Sequence, residues 1–401
     1  MRLNRILYGS LLMLAFLFVY FYGGKIPYML FYTVLALPVV SFLLSAAGYF
    51  GFKYEQSLNN SSAVKGDKVT LKLQIVNRSL FILPYVSIQI FSGGLLSQES
   101  VIRNLSLQPF SKKEFFYDYV YKYRGCYELG VSGIVVQDFL GIFRLVRKNK
   151  MPLRVTVYPR LIIIDNMALV SRDLSEPISN LRNLHEDIST IEGIRKYNYG
   201  DSMSKIHWKL SAKMNELMIK EYQWKAADRT LFIVDLKRNP FTPDSNAVIE
   251  DKHIEAIVAV LRYYIHHGVA VRLVYHDEEI RSMDCNSPLD FENAYQTLAK
   301  VQFNQKVSFT DLIEGQIDYG INKPDILLST SNLDDRLYET ICRMKSVGYE
   351  ISLVYISPEE IMGEKKPDTG QKLSVLPESG IKVYRINIRD EIKGVLEYGG
   401  R

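Results

Sequence analysis

Asp201 and His207 are the side chains of this 401-residue sequence best suited to acid–base work, with Arg195 and Lys213 flanking them as cations for an anionic substrate. A carboxylate and an imidazole close together can pass a proton near neutral pH, and clustered ionisable groups are where shifted proton affinities serve catalysis. Covalent catalysis would also need a nucleophile within reach of the base, and none stands at a recognisable spacing from His207. The competing role for His207 is structural: a packed imidazole bonded to backbone or to Asp201. A second set of residues closes apolar runs: Asp235, Asp277 and Ser329-Thr330. Asp251 and His253 lack a second pair of metal ligands, and His266-His267 end a helix, where imidazolium suits the dipole. The chain contains neither Gly-x-x-x-x-Gly-Lys-Ser/Thr nor Gly-x-Gly-x-x-Gly, so it carries no P-loop and no dinucleotide fingerprint.

These residues need elements to hold them. Gly200-Asp201 reads as a turn that places Asp201 or Ser202 at a helix N-cap. Met203, Ile206, Leu210 and Met214 then share one helical stripe, beside a basic edge of Lys205, Lys209 and Lys213. Lysine edges of this kind ordinarily face solvent, which makes the segment a capped amphipathic connector. A strand is expected over 217–222. From 228 onward apolar runs alternate with helical stripes: strands over 230–235, 270–275, 325–330, 350–356 and 381–388, helices over 251–266, 288–300 and 334–347. This pattern predicts an α/β domain over 228–401, built on a parallel sheet covered on both faces. Ligands of such sheets bind beyond the carboxyl ends of the strands. Residues 61–160 alternate with period two instead, as in Val69, Leu71, Leu73 and Ile75 or Val86, Ile88 and Ile90, between turns such as Gly66-Asp67 and Arg124-Gly125. They predict an Ig-like β-sandwich, with 161–227 left as a connecting region.

The N-terminus is of another kind. From Ile6 to Phe52 the only formal charge is Lys25, and Gly23-Gly24-Lys25-Ile26-Pro27 divides the stretch into spans over 6–22 and 28–52. Each falls within the roughly 17–25 apolar residues that cross a bilayer. A cleaved signal peptide fits less well, since the first span ends in bulky Val19-Tyr20-Phe21-Tyr22 where a small-residue cleavage site belongs. The net charge of +5 is concentrated here: residues 1–54 hold Arg2, Arg5, Lys25 and Lys53 and no acid, so the rest of the chain is close to neutral. That balance argues against nucleic acid as a partner. Arg2, Arg5 and Lys53 outweigh Lys25, and the positive-inside rule then places both termini, and the soluble domains, in the cytoplasm of a multi-pass protein of the cell membrane. Cys126, Cys285 and Cys342 are few, odd in number and without metal-ligand spacing, in keeping with a reducing compartment.

The run Arg195-x-Tyr197-x-x-Gly200-Asp201-x-x-x-x-Ile206-His207-Trp208-x-x-Ser211-Ala212-Lys213 resembles the signature of the bacterial family called domain of unknown function fifty-eight. Tyr123-Arg124-Gly125 and Gln137-Asp138-Phe139-Leu140-Gly141-Ile142-Phe143 are similar to that family's Arg-Gly and Asp-Pro-Phe-Gly-Leu-Phe sequences, with Phe139 in place of Pro. The resemblance implies a two-helix anchor (1–54), a β domain (61–160), the signature (195–213) and a von Willebrand factor A-like domain (228–401). The metal-binding form of that last fold carries Asp-x-Ser-x-Ser after its first strand, and the matching residues here are Asp235, Lys237 and Asn239. An ammonium cannot ligate Mg²⁺, which takes hard oxygen ligands. The site is therefore read as degenerate, with a Lys237–Asp235 ion pair in place of the metal and Thr310-Asp311 as a remnant of the later loops. No metal and no cofactor is expected.

Family members are often encoded near MoxR-type AAA+ ATPases and transglutaminase-like membrane proteins. The resemblance therefore implies a membrane-anchored, non-enzymatic adaptor that engages such an ATPase and other membrane proteins, in protein-complex assembly or envelope stress tolerance. Arg195, Tyr197, Gly200, Asp201, Ile206, His207, Trp208, Ser211, Ala212 and Lys213 would be the interaction residues. The alternative is an enzyme built on Asp201 and His207.

Overall fold

The computed structural model describes residues 2–93, 98–149, 152–167, 186–197, 206–214, 216–224, 230–317, 323–362 and 367–398. The chain divides into two units, up to Arg160 and from Leu161 onward. The first opens with helices α1 (Arg2–Tyr22) and α2 (Lys25–Gly51). They are reversed by Gly23 and Gly24 at φ 56° and 86°, left-handed values that glycine adopts without a steric penalty. The Tyr8 hydroxyl donates to Val34 O at 3.0 Å across the hairpin. Both helices are long and apolar enough to cross a membrane, and only 6% and 17% of their apolar windows is buried. Their side chains face outward, unlike those of a core helix in a soluble unit.

The backbone passes from Gly51 directly into a strand, earlier than the period-two pattern begins. β1 (Phe52–Leu58), β3 (Lys68–Asn77) and β6 (Lys112–Val120) form one antiparallel sheet. The second sheet has the order β2 (Ser62–Val64), β9 (Leu153–Tyr158), β7 (Gly125–Gln137), β4 (Leu83–Gly93), β5 (Gln98–Leu107), with β8 (Arg144–Lys148) also on β7. Alternation turns Val69, Leu71, Leu73 and Ile75 inward from β3. They share one core with Val86, Ile88 and Ile90 of β4 and with Val155 and Val157 of β9. Two sheets that each bury one face of alternating apolar residues remove that area from water by packing face to face.

The second unit begins, within the described residues, with a hairpin of β10 (Glu186–Lys196) and β11 (Met218–Trp224), carrying the seven-residue helix α3 (Trp208–Met214) between them. β12 (Thr230–Val234) then starts a six-stranded sheet that includes β13 (Val271–His276), β14 (Ile280–Cys285), β15 (Ile326–Thr330), β16 (Ile351–Ser357) and β17 (Lys382–Asn387). Its order is β14-β13-β12-β15-β16-β17. Five strands are parallel, as the unbroken apolar runs suggest, but β14 pairs antiparallel with β13. The sheet is therefore mixed and not purely parallel. Only the turn Asp277–Glu279 separates these two strands, and so short a connection cannot make the crossover a parallel pair needs.

Helices cover the sheet. α4 (Pro243–His266) is capped by Thr242, whose side chain accepts Ser245 N–H, and it has Pro243 in its first turn. That pairing satisfies one of the free N–H groups at a helix start and presets φ. α5 (Pro288–Leu298) opens with a Ser287/Asp290 capping box. α6 (Phe309–Glu314) and α7 (Asp335–Val347) press Phe309, Leu312, Leu337 and Ile341 onto Leu231, Ile233, Leu328 and Leu353. α7 ends at Gly348, left-handed at φ 97°. α8 (Glu359–Met362), α9 (Pro367–Val375) and α10 (Ile392–Tyr398) complete the unit.

Candidate functional site

The signature divides into an inward and an outward half. Ile206 does not continue a helix, as the sequence pattern suggested. It is extended and bridges to Ile219, because an apolar side chain at this point is buried more fully against β11 than on a short helix. The helix starts at Trp208, and His207 caps it: Nδ1 accepts Leu210 N–H at 3.2 Å, while His207 N–H donates to Met218 O at 2.8 Å. An Nδ1 that accepts carries a lone pair and no proton, which fixes the tautomer with hydrogen on Nε2. Ser211 Oγ donates to His207 O at 3.1 Å and accepts Met218 N–H at 2.8 Å. Tyr197 N–H donates to Leu217 O, and Arg195 lies opposite Ile219 in the hairpin. Ile206, His207 and Ser211 thus brace α3 against β11. Trp208, Ala212 and Lys213 face solvent, Trp208 at 65% exposure. Gly200 and Asp201 lie outside the described residues.

The strand ends give a second place. In a doubly wound sheet the crevice lies where successive crossovers leave one strand in opposite directions, here between β12 and β15. Asp235 follows β12, is 2% exposed and anchors that crevice. Its Oδ1 accepts Lys237 N–H at 3.0 Å and its Oδ2 accepts the Thr330 hydroxyl at 2.6 Å. The expected Lys237–Asp235 side-chain pair is absent among the described residues. Lys237 meets Asp235 through its backbone and turns its ammonium to solvent, where it stays hydrated. The hydroxyl partner is likewise Thr330, not Thr310, which bonds Ser308 at the start of α6, while Asp311 faces Arg336. Burial pushes the Asp235 carboxyl up to about 6, with Asp334 adding to the rise; the Thr330 hydroxyl, the Lys237 N–H and the Lys237 charge oppose it.

Side chains stitch the loops around this carboxyl. Asn239 Nδ2 donates to Ser331 Oγ at 2.9 Å, joining the loop after β12 to the loop after β15. Asn246 Nδ2 holds Asn239 O and Phe241 O, and Gln305 Oε1 accepts Leu236 N–H. The stitched loops wall a crevice of about 420 Å³ rimmed by Lys237 and Arg238, with Asn332, Tyr355 and Glu359 among its lining. Glu359, 9% exposed, accepts Arg385 Nη2 on Oε2 at 2.6 Å, and its buried Oε1 has no partner. Sequence reasoning passed over Glu359. The one available signal was its position just past the carboxyl end of β16. Asp277 is not brought here; it lines a separate crevice beside β13 with Arg281 and Lys300. His253 lies buried beneath Ser329, Nε2 to Oγ 2.7 Å.

The residues that would hold a divalent cation do not fit one. Both Asp235 oxygens already accept from protein donors, a lysine stands at the first hydroxyl position, and Asn239 spends its amide N–H on Ser331. Among the described residues no three His, Cys, Asp or Glu side chains gather.

Comparison with known proteins bears on the signature. The chain is 21% identical over 227 residues to the uncharacterized protein YeaD of Bacillus subtilis (strain 168), covering 55% of this chain and 57% of that one. The chain thus matches little more than half the length of that relative. Among solved structures, the CARDB domain of a Pyrococcus furiosus protein in complex with di-metal ions covers 26% of this chain and 91% of its own, at 14% identity and a TM-score of 0.20. The C-terminal domain of wzt covers 28% and 75%, at 15% and 0.22. Neither score bears on the site. Residues 193–283, from the β10–β11 hairpin through β14, match the model described as protein of unknown function DUF58, and it is this segment that is similar to that family.

Proposed function

We propose that this protein is a membrane-anchored binding module and not an enzyme, with the crevice beyond β12, β15 and β16 as its docking surface. The observation that carries the reading is the engagement of Asp235. Its two oxygens are bound by Lys237 N–H and Thr330, so the acid of the crevice shapes loops and is not presented to a substrate. What the crevice does present is the rim of Lys237 and Arg238, the latter shared with Glu250, a surface for a polar, partly acidic segment of another protein. His207 supports the same reading: its Nδ1 lone pair caps α3, which occupies the atom a general base would use on that side of the ring. In this reading the six-stranded sheet is von Willebrand factor A-like and the two-sheet domain Ig-like. The two helices span the cell membrane, and the soluble domains face the cytoplasm. The partner class implied by the resemblance is a MoxR-type AAA+ ATPase.

The test is binding of the full-length, detergent-solubilised chain to a purified MoxR-type ATPase, with and without ATP. Micromolar binding that weakens about tenfold or more in Lys237→Glu/Arg238→Glu is expected for charges at an interface. Absence of binding in both nucleotide states would reject this partner. Unchanged binding in the charge-reversed variant would reject the crevice. In calorimetric titration with Mg²⁺, Asp235→Ala should leave the heats unchanged, since both Asp235 oxygens are already engaged.

A further inference from the structure

We propose that the Asp138–Phe143 loop of the β domain is a third membrane contact, seated at the boundary between headgroups and acyl chains with Phe139 inserted among lipids. The inference rests on the reading of α1 and α2 as membrane spans and deepens it. The loop joins β7 to β8 and docks on both helices. Asn4 Nδ2 donates to Leu140 O at 3.1 Å and Arg5 Nε to Ile142 O at 3.0 Å. Ser41 Oγ donates to Asp138 Oδ2 at 2.8 Å, and the Phe42 and Phe143 rings meet edge to face at 5.2 Å. Asp138 itself is 1% exposed, and its other oxygen accepts Phe143 N–H at 2.8 Å. The loop is thus fixed at a definite height on the hairpin.

That height can be read from helix geometry. At 1.5 Å per residue, Ser41 stands about 24 Å from Lys25, and Arg5 about 26 Å from Tyr22. The hydrocarbon layer is about 30 Å thick. With the Gly23-Gly24 turn at the far face, Ser41 and Arg5 lie about 4–6 Å inside the near boundary of the acyl chains. Helix tilt only lowers them further. A loop bound to both residues cannot avoid the lipid interface. Its exposed ring is apolar: Phe139 is 74% exposed, although the residues on either side of it are held, and burying such a side chain among acyl chains removes its apolar area from water.

A second tier follows the same geometry. Gly48 and Gly51 stand about 35–39 Å from Lys25, at the outer edge of the near headgroup layer. Gly51 O accepts Arg78 N–H, and Gly48 packs on Leu83. This brings the β3–β4 loop, with Leu80 at 72% and Ile82 at 55% exposure, to that level. Asn77 Nδ2 ties Phe81 O to Gln108 O and so places the next loop beside it, with Phe110 at 67% exposure. Apolar side chains held outward on successive loops at one end of a soluble domain would be an aggregation liability in water. Beside two membrane spans they form apolar tiers at two levels, and Arg2, Arg5 and Arg78 supply cations for anionic headgroups.

The test places one tryptophan at a time in the full-length chain, reconstituted in vesicles of equal parts phosphatidylcholine and phosphatidylglycerol, with lipid brominated high on the acyl chain as quencher. The signal is the emission in excess of the parent, which already holds Trp208 and Trp224. Phe139→Trp and Tyr20→Trp, the latter in α1, should each be quenched about twofold or more. Phe116→Trp, exposed on β6 of the other sheet, should not respond. Quenching of Tyr20→Trp alone would keep the anchor and overturn the loop contact. Quenching of neither would overturn both. Emission of Phe139→Trp that is shielded from iodide yet blind to brominated lipid would put a second copy of the chain on the loop, and would also overturn the proposal.

Discussion

Asp138 in the first unit and Asp235 in the second are built alike. Each is buried, at 1% and 2% exposure, and each accepts one backbone N–H and one hydroxyl on its two oxygens. The difference lies in what the donors could do without the acid. Thr330 Oγ1 also lies 3.1 Å from Asn332 O, so its proton has another acceptor at hand. Ser41 sits on an apolar helix, and its one recorded bond crosses to Asp138. Asp235 therefore shapes a loop that has other supports, including Asn239–Ser331 and Gln305–Leu236. Asp138 is the only side chain of its loop bonded to α2 among the described residues. The same chemistry makes a replaceable stitch in one place and a latch in the other.

The largest effect that could break this contrast is truncation. Asp138→Ala strands the Ser41 hydroxyl and Phe143 N–H, and at 1–3 kcal/mol for each unsatisfied group the loss is about 2–6 kcal/mol. Asp235→Ala strands only Lys237 N–H and should cost about 1–3 kcal/mol. Amide exchange at Phe143 and Lys237 reads each unit separately; equal acceleration in the two variants would erase the distinction.

Next in size is pH. The raised carboxyl of Asp235 means that, between the ordinary carboxylate range and about 6, the folded chain keeps a proton that the unfolded chain has lost. Its stabilising contribution is complete below that window and falls as pH rises through it, by about 3 kcal/mol for a shift of roughly two units. Asp235→Asn has no proton to lose. Denaturant midpoints of the parent at pH 4.5 and 7 should therefore diverge more than those of the variant; parallel slopes would show the acid to be unperturbed. Thr330→Val removes one charge-assisted hydrogen bond and should cost about 1–2 kcal/mol, while raising the Asp235 carboxyl further.

How much of this was legible beforehand follows from how local each cause is. β12, β15 and β16 are unbroken apolar runs, and the residues at their ends could be named without coordinates. β14 reads Ile280-Arg-Ser-Met-Asp-Cys285, an edge strand with no apolar run, and it was missed. β10 was missed as well, since Glu186-Asp-Ile-Ser-Thr-Ile-Glu-Gly193 alternates poorly and owes its pairing to β11. The Gln137–Phe143 stretch stood out as a motif, but its purpose depends on Ser41, far away in the chain. Glu359 became a site residue only when β16 brought its loop beside that of β12. The α3 boundary failed for a related reason: tertiary burial of Ile206 outweighed its helical spacing, and histidine is not among the preferred capping residues.

That unusual cap supplies the smallest effect and the finest version of the contrast, a side-chain acceptor that is only half-buried. His207→Ala should cost about 1 kcal/mol, with faster exchange at the Leu210 amide. His207→Asn offers an oxygen at the same place and is a better cap by type, so it should restore protection. Partner binding should follow the cap, lost in part with alanine and kept with asparagine. A general base makes the opposite demand, because an asparagine amide cannot take up a proton near neutral pH. If function vanishes equally in both variants while Leu210 stays protected in the asparagine form, the imidazole has a chemical task and the capping account of the signature fails.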